Sequence, residues 1–390
     1  MKFVKLSICI LGLILTLNLL CDNLNDIVKE TNIYIIKTYK GRMNQELAKA
    51  KLRKIIQNNQ LPDEQKIDLI QKEFLDNKKK VEQLENYIKL AEQGNAEAQF
   101  NLGRLYFLAE GTKRDISRAV EWWQKSAEQN HAEAQYALGT WYLENKNPQK
   151  AVEWFQKAAE QGHATAQFNL AFCYHFGLGV DENIMKAMEW YQKAAAQGQP
   201  QAQCNIGTCY YQGIGGLKKN VTKAVELYRK SAEQGYDEGL YNLGNHYFHG
   251  EGVEKDIPKA IELWRKAADQ GNTKAQFNLG INEKDLSKAA EWFHKAAELG
   301  DIHAQIQYGF CCFTGEGIEK NKVQALEWWQ KAAEQGEANA QFLVGMCYEK
   351  GEGVKRDISE AKYWYQKAAE QGHLDSQKSL NRIMVHPAND

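Results

Sequence analysis

Residues 96–106 read AEAQFNLGRLY and residues 119–127 read AVEWWQKSA, and these two stretches decide the fold. In the first, Ala98, Leu102 and Tyr106 recur at four-residue spacing, which places them on one stripe of a helix. Between the stretches, Asp115 precedes an isoleucine, as Asp256 and Asp357 do in later copies, and all three are good N-caps for a second helix. The pattern predicts two helices joined by a short turn.

This helix pair recurs along the chain, which has 390 residues. The alanine that opens the second helix is found at Ala119, Ala151, Ala187, Ala224, Ala260, Ala289, Ala325 and Ala361. The spacings are 32, 36, 37, 36, 29, 36 and 36 residues. A fixed period in this range is typical of stacked repeat proteins, so the sequence predicts eight repeats of about 36 residues.

Two positions of the repeat indicate how the helices pack. One is aromatic in every copy: Trp123, Phe155, Tyr191, Tyr228, Trp264, Phe293, Trp329 and Tyr365. A single repeat cannot shield such a ring from water, but stacked neighbours can. The other is Gly103 and its counterparts, with Ala171 in the third repeat. Glycine inside a helix costs about 1 kcal/mol relative to alanine, so we expect it to permit a close helix contact.

The repeated pattern Ala-x-Ala-Gln-x-x-Leu-Gly-x-x-Tyr, Gly-x-Gly-Val and Lys-Ala-x-x-Trp-x-x-Lys-Ala-Ala resembles the Sel1-like repeat, a relative of the tetratricopeptide repeat. The resemblance covers about residues 80 to 383. It implies an all-α, right-handed α-solenoid of helix-turn-helix repeats, with the first helices lining a concave groove. It also implies a role as an adaptor that binds proteins.

The expected organisation follows from where the pattern begins and ends. Residues 61–94 are predicted to form two capping helices, Pro62 to Leu75 and Val81 to Gln93, before the eight repeats at 95–373. Residues 374–390 are predicted to form a C-terminal capping helix and tail. The second repeat is four residues short and the sixth is seven short, so the sixth first helix should end early.

The N-terminal segment is expected to direct the chain to the cell envelope. Lys2 and Lys5 precede the apolar run Ile8 to Leu20, which is too short to span a bilayer comfortably but suits an export signal. Residues 1–21 are therefore an export signal, a lipoprotein signal lipidated at Cys21, or an uncleaved membrane anchor. Leu20 departs from the small residue that usually precedes a lipidated cysteine. Residues 22–60 are predicted to be a polar spacer, and membrane contact is expected only through this N-terminal part.

Several kinds of chemistry are disfavoured. With 49 basic and 50 acidic residues, the chain has no basic excess for nucleic acid. The Gly-x-Gly loops follow helices rather than strands, so we interpret them as turns and not phosphate sites. His246 and His249 lack a third ligand at motif spacing, and no catalytic motif is present. No metal, cofactor or catalytic residue is predicted.

The cysteines are predicted to be free. Cys173, Cys209, Cys311 and Cys347 occupy the same repeat position, so the copies lie at least one repeat apart. A disulfide needs Cα atoms within about 7 Å. We therefore expect buried thiols at this position.

A protein-binding surface is predicted on the first helices, opposite the core stripe. Its candidate residues are Phe168, Phe172, Phe176, Tyr211, Tyr241, Asn245, Phe248, Phe310 and Phe313. Exposed aromatics are frequent binding anchors. The alternative is that these rings are partly buried between repeats. Asn101, Asn169, Asn205, Asn242 and Asn278 form a further ladder, which either grips a peptide or, as we favour, bonds a neighbouring helix.

The functional hypothesis is a non-enzymatic scaffold that holds a protein or peptide in the groove. A dedicated inhibitor or immunity partner of one enzyme is an alternative, and a cell-envelope enzyme or a purely structural spacer are others. An enzyme would require convergent titratable groups in the groove.

Overall fold

A computed structural model describes residues 54–55, 63–110 and 112–385. The predictions for Cys21 and the 1–21 segment, for nearly all of the spacer and for the C-terminal tail lie outside these residues. Within the described ranges all regular structure is helical, with eighteen helices of ten residues or more. The helices form two compact units, one ending at Asn183 and the other beginning at Ile184.

In each unit, every helix packs against the next one in the chain. The described part of the first unit contains α1 (Asp63–Glu92), α2 (Ala96–Leu108), α3 (Ile116–Glu128), α4 (Ala132–Glu144), α5 (Pro148–Glu160) and α6 (Ala164–Phe176). The predicted all-α fold of stacked helix pairs is confirmed.

The second unit continues the same alternation of first and second helices. It contains α7 (Ile184–Ala196), α8 (Pro200–Gln212), α9 (Val221–Glu233), α10 (Asp237–His249), α11 (Ile257–Ala268), α12 (Thr273–Asn282), α13 (Leu286–Glu298), α14 (Ile302–Thr314), α15 (Lys322–Glu334), α16 (Ala338–Lys350), α17 (Ile358–Glu370) and α18 (Leu374–Val385). The helix α12 has 10 residues where most first helices have 13, which confirms the predicted early end of the sixth first helix.

Side-chain caps set the helix starts. The carboxylate of Asp115 accepts the backbone N–H of Arg118 at 3.0 Å, and Asp256 and Asp357 cap α11 and α17 in the same way. Each cap satisfies one of the backbone donors that a helix start leaves without an intrahelical partner. The three aspartate caps were predicted from the sequence and are confirmed.

The recurring glycine of the first helix lies against the recurring aromatic of the second. An ideal Cβ on Gly103 would stand 2.5 Å from the Trp123 ring, and one on Gly309 would stand 2.3 Å from Trp329 Nε1. The same overlap occurs at Gly139, Gly207, Gly244, Gly280 and Gly345. Glycine therefore allows the aromatic ring to rest directly on the helix backbone, which is the close contact that the sequence predicted.

A glutamine relay, which was not predicted, ties most first helices to the helix before them, the exception being α10, where Leu240 replaces the glutamine. The Gln99 side chain donates to the Ala91 carbonyl at 3.1 Å, in the last turn of α1, and accepts from Gln129 at 2.7 Å. The same pairs are Gln135–Gln161, Gln203–Gln234, Gln305–Gln335 and Gln341–Gln371. The relay satisfies a helix C-terminal carbonyl that has no intrahelical partner.

The sixth repeat breaks the relay at Leu299, which stands where the other repeats carry the outer glutamine. Gln276 still donates to the Ala268 carbonyl at 3.1 Å. Its Oε1 is buried and has no hydrogen-bond partner among the described residues. A buried acceptor without a partner costs about 1–3 kcal/mol.

We therefore expect Leu299→Gln to raise the free energy of unfolding by about 1 kcal/mol, because the new amide can donate to Gln276. Urea unfolding of the full chain measures this change. Leu299→Glu is the matched control, since it has the size of glutamine but no donor, and it should bring no such gain. Equal stability of the two variants would contradict the prediction.

The Gly-x-Gly loops are turns, in keeping with the interpretation from sequence. Gly315 ends α14 in the left-handed conformation, with φ 87° and its N–H bonded to the Cys311 carbonyl. The second glycine, Gly317, approaches the preceding repeat so closely that an ideal Cβ would lie 2.1 Å from the Leu286 carbonyl oxygen. The loop therefore joins neighbouring repeats.

The two ends of the array differ in how well they were predicted. Instead of two capping helices within 61–94, the structure has the single helix α1, because residues 76–80 contain no glycine or proline to interrupt it.

At the other end α18 covers the last repeat, and Arg382 pairs with Glu349 of α16 at 2.7 Å. Among the described helices, none has the length and apolar character to cross a bilayer.

Candidate protein-binding surface

In the first unit, the predicted residues form a phenylalanine ladder on α6. Phe168, Phe172 and Phe176 lie four residues apart, and their ring centroids are separated by 6.4 Å and 4.5 Å. Phe172 is 37% exposed and Phe176 is 55% exposed, whereas Phe168 is half-buried. The imidazole of His175 stacks on Phe176 at 4.5 Å. The ladder is an apolar surface that the first unit itself does not cover.

In the second unit, the exposed member of the predicted set is Phe310 on α14. Its ring is 38% exposed and contacts the buried Trp329 edge-on, at a centroid distance of 5.2 Å. The core tryptophan therefore fixes the position of a ring that also faces solvent. A fixed aromatic loses little conformational entropy when it binds a partner.

Phe310 lines a cleft of about 450 Å³ along the first helices of the last repeats. Phe277 and Phe342 contribute further rings, and His303, Gln307 and Asn339 contribute polar groups. The sequence analysis missed Phe277 and Phe342, although an aromatic recurs at this fifth position of the first helix. Phe168 and Tyr241, which were predicted, occupy the same position, so the signal was visible in the sequence.

Two carboxylates, Glu337 and Asp375, lie at the edge of the cleft. Glu337 lies at the start of α16, where its carboxylate accepts the Ala340 N–H at 2.6 Å. Asp375 pairs with Lys378 at 3.0 Å, and this hydrogen bond lowers the pKa of the Asp375 carboxyl. His373 also lines the cleft, and its Nδ1 lies 2.9 Å from Ser376 Oγ. The cleft therefore combines three phenylalanine rings with titratable side chains, most of which already have local hydrogen-bond partners.

Three predicted residues pack inside the second unit. Phe248 lies on Trp264 at a centroid distance of 5.1 Å, and Phe313 lies on Trp329 at 5.3 Å. The Asn245 Oδ1 accepts from Trp264 Nε1 at 3.1 Å and from Asn278 at 3.2 Å. Phe248 and Phe313 are therefore partly buried against the tryptophan of their own repeat, and Asn245 also joins its repeat to the next one through Asn278.

The two tyrosines of the predicted set are half-buried and have local partners. The Tyr211 hydroxyl donates to the Glu251 carboxylate at 3.1 Å, which raises the pKa of Tyr211. The Lys274 ammonium lies 5.7 Å from the Tyr241 ring centroid. The Tyr211 hydroxyl and the Tyr241 ring are therefore less available to a binding partner than the rings of Phe172, Phe176 and Phe310.

The asparagine ladder bonds neighbouring helices at two of its positions. Asn242 donates to Cys204 at 3.4 Å, and Asn278 donates to Asn245 at 3.2 Å. Both bonds run from a first helix to the first helix of the preceding repeat. This arrangement agrees with the favoured interpretation of the ladder as a contact between helices.

The repeat family is shown by comparison with known proteins. The family model of the Sel1 repeat matches eight consecutive segments: residues 96–131, 132–163, 164–199, 200–236, 237–272, 273–301, 302–337 and 338–373. The chain is a Sel1-repeat protein. The eight segments agree with the eight repeats predicted from the alanine spacing.

Two solved structures similar to this Sel1-repeat protein come from bacteria. A protective antigen of uropathogenic Escherichia coli with an SLR fold is 28% identical, over 94% of this chain and 91% of that chain, with a TM-score of 0.66. A Sel1 repeat protein from Oxalobacter formigenes is 30% identical, over 77% of this chain and 90% of that chain, with a TM-score of 0.58. The curated proteins give no match.

The described part of this Sel1-repeat protein brings no metal-binding group of His, Cys, Asp and Glu side chains together. His246 Nδ1 instead lies 2.8 Å from the Glu251 carbonyl oxygen, inside the repeat.

The described cysteines are free, as predicted, and Cys311 differs from the others in being half-buried. Burial raises the pKa of Cys204 and of Cys347 to about 12, so these thiols are poor nucleophiles.

Proposed function

We propose that this Sel1-repeat protein is a non-enzymatic scaffold of the cell envelope that binds a protein or peptide on its first-helix face. The observation that carries the proposal is the exposure of Phe172, Phe176 and Phe310 on first helices. Rings that are fixed by their neighbours and open to solvent are typical anchors of protein interfaces. Sel1-repeat proteins are generally protein-interaction scaffolds, which supports the same function.

The envelope location has separate support. The apolar run of residues 8–20 follows two lysines, as in an export signal. The similar protein of uropathogenic Escherichia coli is a protective antigen, which is in keeping with a place where antibodies reach it. Lipidation at Cys21 is one of the ways in which this segment would hold the chain at a membrane, and a mass measurement on the mature protein tests it.

Affinity capture from detergent-solubilised cells tests the binding surface. We expect that Phe172→Ser combined with Phe176→Ser, or Phe310→Ser alone, weakens recovery of the partner at least about tenfold, because an aromatic anchor contributes about 2 kcal/mol or more. The two variants are examined separately, so the result also tells which unit holds the partner. Phe248 is left unchanged because it packs on Trp264.

The matched control is Met185→Ser combined with Tyr363→Ser, which removes exposed apolar side chains from the second helices α7 and α17. This variant should recover the partner as well as the natural protein does. Circular dichroism first verifies that all variants keep their helices. Equal recovery by the phenylalanine variants and the control would contradict binding on the first-helix face. A single tight partner at one-to-one stoichiometry would instead support a dedicated inhibitor.

A further inference from the structure

The helix that carries the phenylalanine ladder begins at a histidine cap. His163 is the N-cap of α6, and its Nδ1 accepts the backbone N–H of Ala166 at 3.1 Å. An imidazole nitrogen accepts a hydrogen bond only when it carries no proton. The cap therefore requires the neutral ring with its proton on Nε2.

The surroundings of His163 fix the ring in this role. The imidazole stacks on Tyr136 of α4, with a centroid distance of 4.7 Å and an angle of 21° between the rings. Its backbone N–H donates to the Ala158 carbonyl at 3.1 Å, which ties it to the end of α5. His163 thus joins three consecutive helices while it caps one of them.

The first turn of α6 contains no acidic residue, so no carboxylate there supports the helix start. His131 and His373 cap α4 and α18 in the same way, whereas four other first helices begin with a different side-chain cap. Asn95, Asn272, Asp301 and Glu337 cap α2, α12, α14 and α16 with side chains that keep an acceptor oxygen in mild acid. The start of α6 therefore depends on a side chain that titrates.

We propose that His163 is a pH-sensitive cap, which loses its hold on α6 when the imidazole is protonated and so loosens the start of the helix that bears Phe168, Phe172 and Phe176. Protonation places an N–H on Nδ1, opposite the N–H of Ala166, and the two donors repel each other. It also puts a positive charge at the positive end of the helix dipole. Both effects weaken the cap and destabilise the start of α6.

The charged groups around His163 work partly against each other. Glu133 in α4 favours the imidazolium by its negative charge, and Lys157 and Glu160 lie in the last turn of α5 with opposite charges. Burial of the ring outweighs Glu133 and lowers the pKa of His163 below its ordinary value of 6.5. The stabilising effect of the cap is therefore complete above that value and is lost as the pH falls from about 6.5 through the lower pKa of the folded state.

Hydrogen exchange of the full chain tests the proposal. We expect the protection of the backbone amides at the start of α6 to fall about five- to tenfold between pH 7 and pH 5, after correction for the intrinsic pH dependence of exchange. A fall of this size is the usual effect of losing a side-chain helix cap. The matched variant is His163→Asn, since asparagine is the cap at the corresponding position of α12, where Asn272 accepts from Ala275 at 3.0 Å. This variant should keep its protection at pH 5.

Two results would overturn the proposal. One is protection of α6 that does not change with pH in the natural protein. The other is an equal loss in His163→Asn, which would assign the effect to other groups. The consequence for binding rests on the proposed function, but the cap does not, so failure to capture a partner and failure of the exchange test are distinct outcomes.

Discussion

Gly317→Ala is expected to lower the free energy of unfolding of the second unit by about 2–4 kcal/mol, the largest effect anticipated for a substitution in this chain. Gly317 has a φ of 76°, in the left-handed region that costs a residue with a Cβ about 1 kcal/mol or more. The added methyl group would also stand 2.1 Å from the Leu286 carbonyl oxygen. Because backbone atoms cannot rotate away, the loop has to move off the preceding repeat.

Gly336→Ala is the matched control for this prediction. Its φ is 93°, and nothing lies within 4 Å of an ideal Cβ at that position. Gly336→Ala therefore has only the cost of placing a Cβ in the left-handed conformation, about 1 kcal/mol. Urea or thermal unfolding of both variants gives the difference, which we expect to exceed about 1 kcal/mol. If the two substitutions cost the same, the contact between the loop and Leu286 contributes nothing to stability.

Gly309→Ala is expected to destabilise the second unit by about 1–3 kcal/mol, because the methyl group overlaps the Trp329 ring. Trp329 is completely buried, and its Nε1 donates to the Ile306 carbonyl at 3.1 Å. The ring therefore cannot retreat without giving up this bond. Chemical unfolding of the single variant measures the cost.

A second substitution separates the overlap from the helix propensity of alanine. A tyrosine leaves more room at this contact, since an ideal Cβ on Gly207 would stand 2.9 Å from the Tyr228 ring, compared with 2.3 Å between Gly309 and Trp329 Nε1. In a Trp329→Tyr background we expect Gly309→Ala to cost less, with a coupling energy of about 1 kcal/mol or more between the two sites. Additive effects in the double-mutant cycle would show that the Trp329 ring and the methyl group of Gly309→Ala do not compete for the same space.

The fold was predictable because its determinants recur in the sequence. The aromatic position recurs in every repeat, the facing glycine in all but one and the aspartate cap in several, and each acts on residues of its own repeat. The continuous helix α1 was not predicted, because it has no second copy with which to compare its pattern. Its residues 76–80 read DNKKK, which is compatible with a helix or with a turn.

The candidate surface was predicted only in part. Sequence spacing places Phe172, Phe248 and Phe310 on the same side of their helices, but it does not tell how far a neighbouring helix covers each ring. The structure shows that Phe248 turns onto Trp264 while Phe172 and Phe310 stay exposed. Burial between repeats depends on the packing of two helices, and one helix pattern alone cannot provide it.

The glutamine relay was missed for a different reason. Gln99 and Gln129 both recur visibly, but a glutamine on a helix is usually interpreted as a solvent-facing residue. Only the structure shows that Gln99 is buried and that the two side chains meet at 2.7 Å. A polar residue that repeats as regularly as the core residues was the available signal.

The relay also bears on how such a chain changes length during evolution. Each link involves only one repeat and the repeat before it. The carbonyl at the end of one repeat therefore accepts the glutamine of the next repeat in the same way along the chain. Unequal recombination that adds or removes a whole 36-residue segment leaves the links on both sides of the junction complete. The number of repeats can therefore change without breaking the relay, except beside Leu240 and Leu299, where the fifth and sixth repeats have each lost one of its glutamines.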